Sequence, residues 1–343
     1  MIRPLRHIAL PLLCFFLMAA LPLAAYAGGN PGERKSSAVS SDEEKTGSSA
    51  VSDCNTENVF RIKNTSTGII SEIPDKDFCI GALAYEMQPS FGSEALKAQT
   101  VALYTFFCRK RNIAREKGQD HDFAADTGKG EIYLSDDLLR KKWGSQYDTS
   151  IKAIKTAVEA VFGEIMTDSD GDPIDACYHA ISGGATENAA DVFGQDDPHL
   201  IAAASPFDTL APGYLSVCSF SAEEFRSKLS SVGKSIKLAD DPSDYIGEIL
   251  RTGSGTVTKL TAGGQSFSGL EIRKAFSLRS AVFDIEYKDN NFIFTVRGYG
   301  HGVGLSQWGA RGMAQQGSDH REILRHYYSD FSFSVNRIKS IPH

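Results

Sequence analysis

The chain has 343 residues, of which 41% are hydrophobic and 23% are charged, and its formal net charge is −7. These values are ordinary for a globular protein and leave room for one large domain or two small ones. Because the chain is acidic overall, electrostatics do not favour binding to nucleic acid, and no nucleic-acid partner is expected.

The first 27 residues have the pattern of an export signal. Two arginines precede an apolar run over residues 8–25, which ends in the small-residue pattern of a signal-peptidase site at Ala25 and Ala27. The run is also about long enough to span a bilayer, so residues 1–27 fit either a cleaved signal peptide or a membrane anchor. In both cases we expect an exported protein in the cell wall or at the membrane, touching the membrane only through this segment if it stays uncut.

Residues 28–58 are rich in Ser, Gly, Lys and Glu, and they contain two near-copies of one segment, SSAVSSD and SSAVSD. Such a composition buries little apolar surface, which predicts a flexible linker. Five cysteines follow the signal segment, an odd number that cannot all pair within the chain. We therefore expect free buried thiols with at most one disulfide.

The region after the linker mixes helical and strand patterns. Branched residues on both sides of a Thr-Gly turn predict a hairpin in residues 58–74. Caps, periodicity and turn residues predict helices in residues 75–87, 93–112, 147–163 and 321–328, and strands in residues 163–184 (around an Asp-Gly turn) and 280–298. Because no regular βαβ rhythm appears, we predict one α+β domain over residues 59–343, with a curved, mostly antiparallel sheet and packed helices.

Glu86 is the first candidate for chemistry. In a helix it shares one face with Cys79 and Leu83, so its carboxyl group lies on or beside the apolar stripe. It also falls in the last turn, where the helix dipole disfavours negative charge. Both effects predict a raised pKa, which suits a general acid, although an exposed glutamate at a helix end has the same sequence pattern.

Two further stretches could form a binding surface. CYHAISGGATEN, residues 177–188, places His179 and Ser182 beside a Gly-Gly turn. Hydroxyl, amide and imidazole groups suit a sugar ligand, and a structural turn is the alternative. GYGHGVGLSQWGARGMAQQG, residues 298–317, has glycine at every second position around His301, followed by Gln307 and Trp308. This spacing fits neither a dinucleotide-binding nor a P-loop motif.

Taken together, several motifs resemble one family. YEMQPSFGSEALKAQ (residues 85–99), YHAISGGATEN (178–188), SPFD (205–208), GGQSFSGLEIRKAFSLRS (263–280), the 298–317 stretch and EILRHYY (322–328) are similar to the motifs of the stage II sporulation protein D family, which includes amidase-enhancer-type proteins. They follow the family order across residues 75–330, which is the whole predicted ordered region.

The resemblance implies a lytic transglycosylase of bacterial peptidoglycan that acts during engulfment in sporulation. Its substrate would be glycan strands stripped of stem peptides, cleaved at the β-1,4 bond between N-acetylmuramic acid and N-acetylglucosamine to give a 1,6-anhydro product. The family's catalytic glutamate corresponds to Glu86, and no cofactor is implied. The expected substrate-binding residues are Lys97, Gln99, His179, Ser182, Thr186, Glu187, His301, Ser306 and Gln307. The glycines of residues 298–317 would let backbone donors approach the glycan.

The sequence departs from the family pattern in two places. Tyr104 stands where many members have an arginine, which puts the role of that arginine in doubt. Some members bind zinc through a cysteine and histidine cluster, of which this chain keeps only His121. A metal site is therefore not expected, although Cys108, Cys177 and His179 are conceivable zinc ligands together with His121.

Two other functions stay open from the sequence. The protein could grip stripped glycan and stimulate a cell-wall amidase or endopeptidase of the stage II sporulation protein P type, without cleaving glycan itself. It could also be a hydrolase, which needs a second carboxylate near Glu86 to activate water; Glu187 and Asp191 are the candidates.

Overall fold

The computed structural model describes residues 58–336. The predicted signal or anchor, nearly all of the predicted linker and the last seven residues of the chain lie outside this range, so the expectations for them stay predictions. Across residues 58–336, no helix combines the length and the apolar character that a bilayer crossing requires.

Helices and strands are mixed along the described range, as the predicted α+β class requires. The helices are α1 (Asp75–Glu86), α2 (Ser93–Glu116), α3 (Asp136–Trp143), α4 (Tyr147–Val161), α5 (Ala189–Phe193), α6 (Ala222–Ser230), α7 (Gly269–Phe276), α8 (Gln307–Gln315) and α9 (His320–Tyr327). The strands are β1 (Val59–Asn64), β2 (Ile70–Pro74), β3 (Phe123–Ala125), β4 (Glu164–Thr167), β5 (Tyr178–His179), β6 (Leu215–Ser221), β7 (Ile246–Arg251), β8 (Val257–Ala262), β9 (Gln265–Phe267), β10 (Val282–Lys288), β11 (Asn291–Arg297), β12 (Leu305–Ser306) and β13 (Ser332–Val335).

The strands of residues 58–336 form several small sheets in place of one large curved sheet. Three sheets have three strands each, in the orders β2-β1-β3, β10-β11-β6 and β7-β8-β9, and two are pairs, β12-β5 and β13-β4. Most pairings are antiparallel, as predicted; β1 with β3 and β12 with β5 are parallel. The α+β class is confirmed, and the sheet is more divided than the sequence pattern indicated.

Most predicted elements form where the sequence placed them. The hairpin is β1 and β2, and the predicted helices correspond to α1, α2, α4 and α9. The segment around the Asp-Gly turn contains the two predicted strands, β4 and β5; β4 pairs with β13 and β5 pairs with β12. The turn itself closes through a single bridge between Thr167 and Pro173.

Two packed regions make up the fold. In the helical region, Phe60 of β1, Phe78 of α1 and Phe107 of α2 are buried against one another, with ring centroids 4.7–6.2 Å apart. In the strand-rich region, Phe225 of α6 stacks on Phe292 of β11 with centroids 4.0 Å apart. After β11 the chain returns to the helical region through the glycine stretch, residues 298–304, and then forms α8.

Tyr104, the residue that departs from the family pattern, belongs to the buried packing of α2 on α1. Its hydroxyl donates to Asp75 at 2.7 Å, and Asp75 also pairs with Arg111 at 2.8 Å, with both charged side chains almost fully buried. Burial raises the pKa of Tyr104 strongly, so the hydroxyl stays protonated and acts as a donor. Tyr104 is therefore a structural residue of this chain.

Candidate functional site: a half-buried glutamate at the end of α1

The glycine stretch lies directly against the segment of residues 177–187. Tyr299 and Ile181 exchange backbone hydrogen bonds of 2.7 and 3.0 Å, Leu305 donates to the carbonyl of Cys177, and Glu187 donates to that of Gly302. The two stretches that the sequence identified separately therefore form one paired unit.

The close packing explains the alternating glycines. Gly304 has a φ of +71°, and a Cβ on it would lie 2.0 Å from the carbonyl oxygen of Cys177. Gly300 has a φ of +126°, and its Cβ would lie 2.6 Å from the Cβ of His179. Side chains at these positions would be strained, and they would overlap the backbone of Cys177 at Gly304 and the side chain of His179 at Gly300. This chain's own segment therefore requires glycine at these two positions, and an approach of the glycan to the stretch stays a prediction.

Glu86 is the last residue of α1, within the helix turn where the sequence placed it, and its carboxyl group accepts two hydrogen bonds. The hydroxyl of Tyr178 donates to Oε1 at 3.4 Å, and the side-chain amide of Gln307 donates to Oε2 at 3.3 Å. Tyr178 comes from β5 and Gln307 is the first residue of α8. The paired unit therefore brings one donor from each of its two stretches to the carboxyl group.

The surroundings of Glu86 favour its neutral form. Burial is the largest effect and raises the pKa of Glu86 to about 7, against smaller lowering effects from the two donors and from the positive charge of Lys142. Lys142 donates to the carbonyl of Ala84 at 2.8 Å, in the last turn of α1. The side chain of Glu86 is nevertheless partly exposed. Near neutral pH this carboxyl group is poised both to give and to take a proton.

His301 supports Tyr178. Its Nδ1 accepts from the backbone N–H of Val303 at 3.1 Å, so its Nε2–H donates to the carbonyl of Tyr178 at 2.9 Å. Burial lowers the pKa of His301 to about 3, which keeps the ring neutral in this tautomer. His301 thus fixes the backbone of the residue whose hydroxyl contacts Glu86, and it contacts Glu86 only through that residue.

His179 lies next to His301, with ring centroids 5.6 Å apart. Its Nδ1–H donates to the carbonyl of Val303 at 3.1 Å, while its Nε2 is buried and has no partner among the described residues. Burial also lowers the pKa of His179, so the ring is neutral.

Ser182 and Ser306 meet at a buried carboxylate, Asp208. The backbone N–H and the hydroxyl of Ser182 both donate to Asp208 Oδ2, the former at 2.9 Å, and the hydroxyl of Ser306 donates to Oδ1 at 2.7 Å. All three residues are at most 1% exposed. Their side chains therefore join the two stretches from inside, and they do not line the surface beside Glu86.

Thr186 and Glu187 are also interior residues, 0% and 2% exposed. The carboxyl group of Glu187 accepts from the hydroxyl of Thr252 at 2.9 Å and from the backbone of Thr256 at 3.3 Å, which ties the site to the strand-rich region. Asp191 is exposed and accepts from Asn188. Among the described residues, neither of these two candidates for a hydrolase base shares a hydrogen bond with Glu86.

Lys97 and Gln99 lie on α2 and make no hydrogen bond to the site. Lys97 pairs with Glu94 at 2.7 Å, and Glu94 also accepts from the backbone of His320. Gln99 is fully buried, and within residues 58–336 its amide finds no hydrogen-bond partner. Of the nine expected binding residues, the structure thus brings Gln307 to Glu86 directly and His301 through Tyr178.

Aromatic residues adjoin Glu86 and its amide donor Gln307 along the chain. Tyr85 precedes it, and burial together with the charge of Glu86 raises the pKa of Tyr85 to about 12. Trp308 follows Gln307 and contacts Phe91 edge to face, with centroids 5.1 Å apart. Trp308 and Tyr299 also pack against the small buried cluster of Ala180, Ile181 and Ala211. Partly exposed aromatic rings beside an acid are typical of a surface on which sugar rings stack.

The conceivable zinc ligands do not converge. Within residues 58–336 no group of three or more His, Cys, Asp or Glu side chains is arranged to hold a metal ion. Cys108 contacts Arg111, His121 pairs with Asp120, and His179 donates to a carbonyl. The four cysteines of the described range are free thiols, whereas Cys54 lies outside it.

Sequence reasoning missed Tyr178, Lys142 and Asp208. Tyr178 and Asp208 fall inside motifs quoted above, but nothing in the local pattern distinguishes them from ordinary core residues. Lys142 is one of three basic residues in the last turn of α3. Its place beside Glu86 depends on the packing of α3 on α1, for which the sequence carries no local signal.

Comparisons with known proteins agree with the motifs. The family model SpoIID, Stage II sporulation protein, matches residues 63–167. The chain is 36% identical over 278 residues to Stage II sporulation protein D of Bacillus amyloliquefaciens, which covers 80% of this chain and 78% of that protein. It is 35% identical over 281 residues to the Bacillus subtilis (strain 168) protein of the same name, with the same coverage.

A more distant relative is the Amidase enhancer of Bacillus subtilis (strain 168), which is 26% identical over 296 residues, 72% of this chain and 39% of that protein. With the Stage II sporulation protein D relatives, more than a third of the aligned residues are identical over about four fifths of both chains. The chain therefore belongs to the stage II sporulation protein D family.

Proposed function

We propose that the protein is a peptidoglycan lytic transglycosylase that cleaves peptide-stripped glycan strands during sporulation engulfment, with Glu86 as its single catalytic carboxyl group. The observation that carries this proposal is the state of Glu86: partly exposed, held by two long hydrogen bonds, and with a pKa raised to about 7 by burial. An acid of this kind is protonated in a large fraction of molecules at neutral pH.

The reaction uses the two protonation states in turn. Protonated Glu86 donates to the glycosidic oxygen as the bond from that oxygen to C1 of the muramyl residue breaks. The resulting carboxylate then accepts the proton of the muramyl C6 hydroxyl as O6 bonds to C1. The product is a 1,6-anhydro sugar, and Glu86 is protonated again. Because the nucleophile belongs to the substrate, one carboxyl group is sufficient, unlike in ordinary retaining or inverting glycosidases.

The two hydrogen-bond donors to Glu86 favour the second step, in which its carboxylate accepts a proton. The hydroxyl of Tyr178 and the amide of Gln307 stabilise the carboxylate, while burial stabilises the neutral acid. The balance keeps the two states close in free energy, which a group that acts first as acid and then as base needs. The neutral ring of His301 supports this balance by holding the Tyr178 backbone.

Product masses test the proposal. The full chain and a Glu86→Gln variant are incubated with glycan strands stripped of their peptides, and the products are analysed by mass spectrometry. We expect anhydro-muramyl products from the wild type and none from the variant. Products heavier by one water would identify a hydrolase, and absence of cleavage by the wild type would exclude both reactions.

A second candidate is a glycan-binding activator of a cell-wall amidase, and the observation that favours it is the similarity to the Amidase enhancer. In this case Glu86 would hydrogen-bond a sugar without transferring a proton. Replacing Glu86 by Ala separates the two functions when a partner amidase is assayed on intact cell wall. A pure activator keeps most of its stimulation in the variant, whereas a transglycosylase loses it, because its stimulation depends on cleaving the stripped strands that the amidase leaves behind.

A further inference from the structure

Arg311 lies beside the candidate site and takes no part in the chemistry proposed above. It belongs to α8, one turn after Gln307, whose amide contacts Glu86. Side chains four residues apart on a helix are neighbours on the same face. The guanidinium group also lies over the ring of Trp308, 4.6 Å from its centroid, and 5.5 Å from that of Phe91.

These contacts place Arg311 against two segments that adjoin Glu86 and its amide donor. Phe91 follows Glu86 by five residues, in the short turn that connects α1 to α2. Trp308 follows Gln307 directly. The guanidinium group therefore lies between the chain that leaves Glu86 and the helix that supplies its amide donor.

The positive charge of Arg311 is not matched by a carboxylate of this chain. Its Nε is buried without a hydrogen-bond acceptor, and no ion pair to the residue occurs within the described range. Other arginines of the fold do pair, for example Arg111 with Asp75 and Arg321 with Glu164. A guanidinium held on two aromatic rings keeps its planar face covered and its terminal N–H groups free for a carboxylate.

We propose that Arg311 binds the free carboxylate of a muramyl residue next to the bond that Glu86 cleaves, and so selects strands from which the stem peptides have been removed. This inference rests on the proposed function for the identity of the substrate. In an intact strand the lactyl carboxyl group of each muramyl residue forms an amide bond with the stem peptide and therefore carries no charge. Removing the peptide exposes the anion, which a guanidinium binds with charge-assisted hydrogen bonds.

Direct binding tests the inference without requiring cleavage. All proteins carry Glu86→Gln in the full chain, so that strands stay intact, and binding is measured by fluorescence anisotropy with labelled strands. Three probes are compared: peptide-stripped strands, the same strands with their carboxylates converted to methylamides, and strands that keep their peptides. Arg311 is replaced by Gln or Lys, and Arg325→Gln removes a guanidinium that lies over Phe333 and outside the site.

With Arg311 present, we expect stripped strands to bind about tenfold more tightly than the methylamides or the peptide-bearing strands. Arg311→Gln should remove this preference, because it should weaken the binding of stripped strands and leave the binding of the other two probes unchanged. Arg311→Lys should retain part of the preference, and Arg325→Gln should retain all of it.

Three results would overturn the inference. The first is an equal loss of affinity for all three probes in Arg311→Gln, and the second is a preference for stripped strands that survives in this variant. The third is that peptide-bearing strands bind as tightly as stripped ones to the protein that keeps Arg311. The proposed reaction is judged separately by product masses. If stripped strands bind with the expected preference but the wild type does not cleave them, the transglycosylase proposal is refuted. The proposed carboxylate-binding role of Arg311 would then still stand.

Discussion

Glu86 and Asp208 are two carboxylates that accept hydrogen bonds from the same paired unit, and their surroundings differ. Asp208 is fully buried and accepts hydrogen bonds from the backbone and hydroxyl of Ser182 and from the hydroxyl of Ser306. Glu86 is partly exposed and accepts two bonds longer than 3.2 Å. Buried polar groups are normally fully hydrogen-bonded. The contrast indicates that Asp208 is held as part of the structure, while Glu86 is left available for proton transfer.

Replacing Glu86 by Gln should give the largest effect. Glutamine has the same shape but cannot donate and accept a proton in turn, so we expect glycan cleavage to fall by about a thousandfold or more. The thermal midpoint at pH 5 should stay within about a degree of the wild type, because the side chain keeps its packing. Cleavage at more than a tenth of the wild-type rate would show that another group supplies the proton.

Replacing Asp208 by Ala should affect stability. The change leaves three buried donors without their acceptor, and we expect the free energy of unfolding to fall by about 3 kcal/mol in urea titrations. Asp191→Ala is the matched control, since this exposed carboxylate should contribute less than about 0.5 kcal/mol. If Asp208→Ala were no more destabilising than the control, the contrast between the two carboxylates would fail.

Replacing Lys142 should have a smaller effect than the two substitutions above, and this effect should be on the pKa of Glu86. The positive charge of Lys142 favours the carboxylate and so lowers the pKa of Glu86. In Lys142→Met that pKa should rise, the protonated acid should persist to higher pH, and the basic limb of the pH–rate profile should move upward by a few tenths of a unit. Lys141→Met, on the neighbouring residue of α3, is the control. A downward shift, or an equal shift in both variants, would contradict the assignment.

The sequence could predict the position of Glu86 in its helix because that signal is local. Helical periodicity predicted a helix over residues 75–87 with Glu86 in its last turn, and α1 ends one residue earlier, at Glu86. Its donors are not local: Tyr178 and Gln307 lie 92 and 221 residues away along the chain. The motif supplied Gln307 as a candidate, but only the folded chain shows that Gln307 and Tyr178 meet at one carboxyl group.

The sequence also could not tell which hydroxyl groups face a ligand. Ser182 and Ser306 beside glycines have the pattern of a polar binding loop, yet both hydroxyls are directed to Asp208. The alternating glycines were ambiguous in the same way. Glycine is needed wherever another group approaches the backbone closely, and the sequence does not show whether that group is the chain itself or a ligand. Fold class, by contrast, followed from the mixture of helical and strand patterns, which does not depend on long-range contacts.

The proposed role of Glu86 as the acid depends most on its proton affinity. This affinity is measured directly by carbon-13 NMR titration of carboxyl-labelled glutamates in the full chain, with Glu86→Gln used to assign the resonance. We expect a midpoint of about 7, because the effect of burial on the pKa outweighs that of the two donors and Lys142. A midpoint near the ordinary glutamate value of 4.5 would leave Glu86 ionised at neutral pH and would contradict its role as the acid.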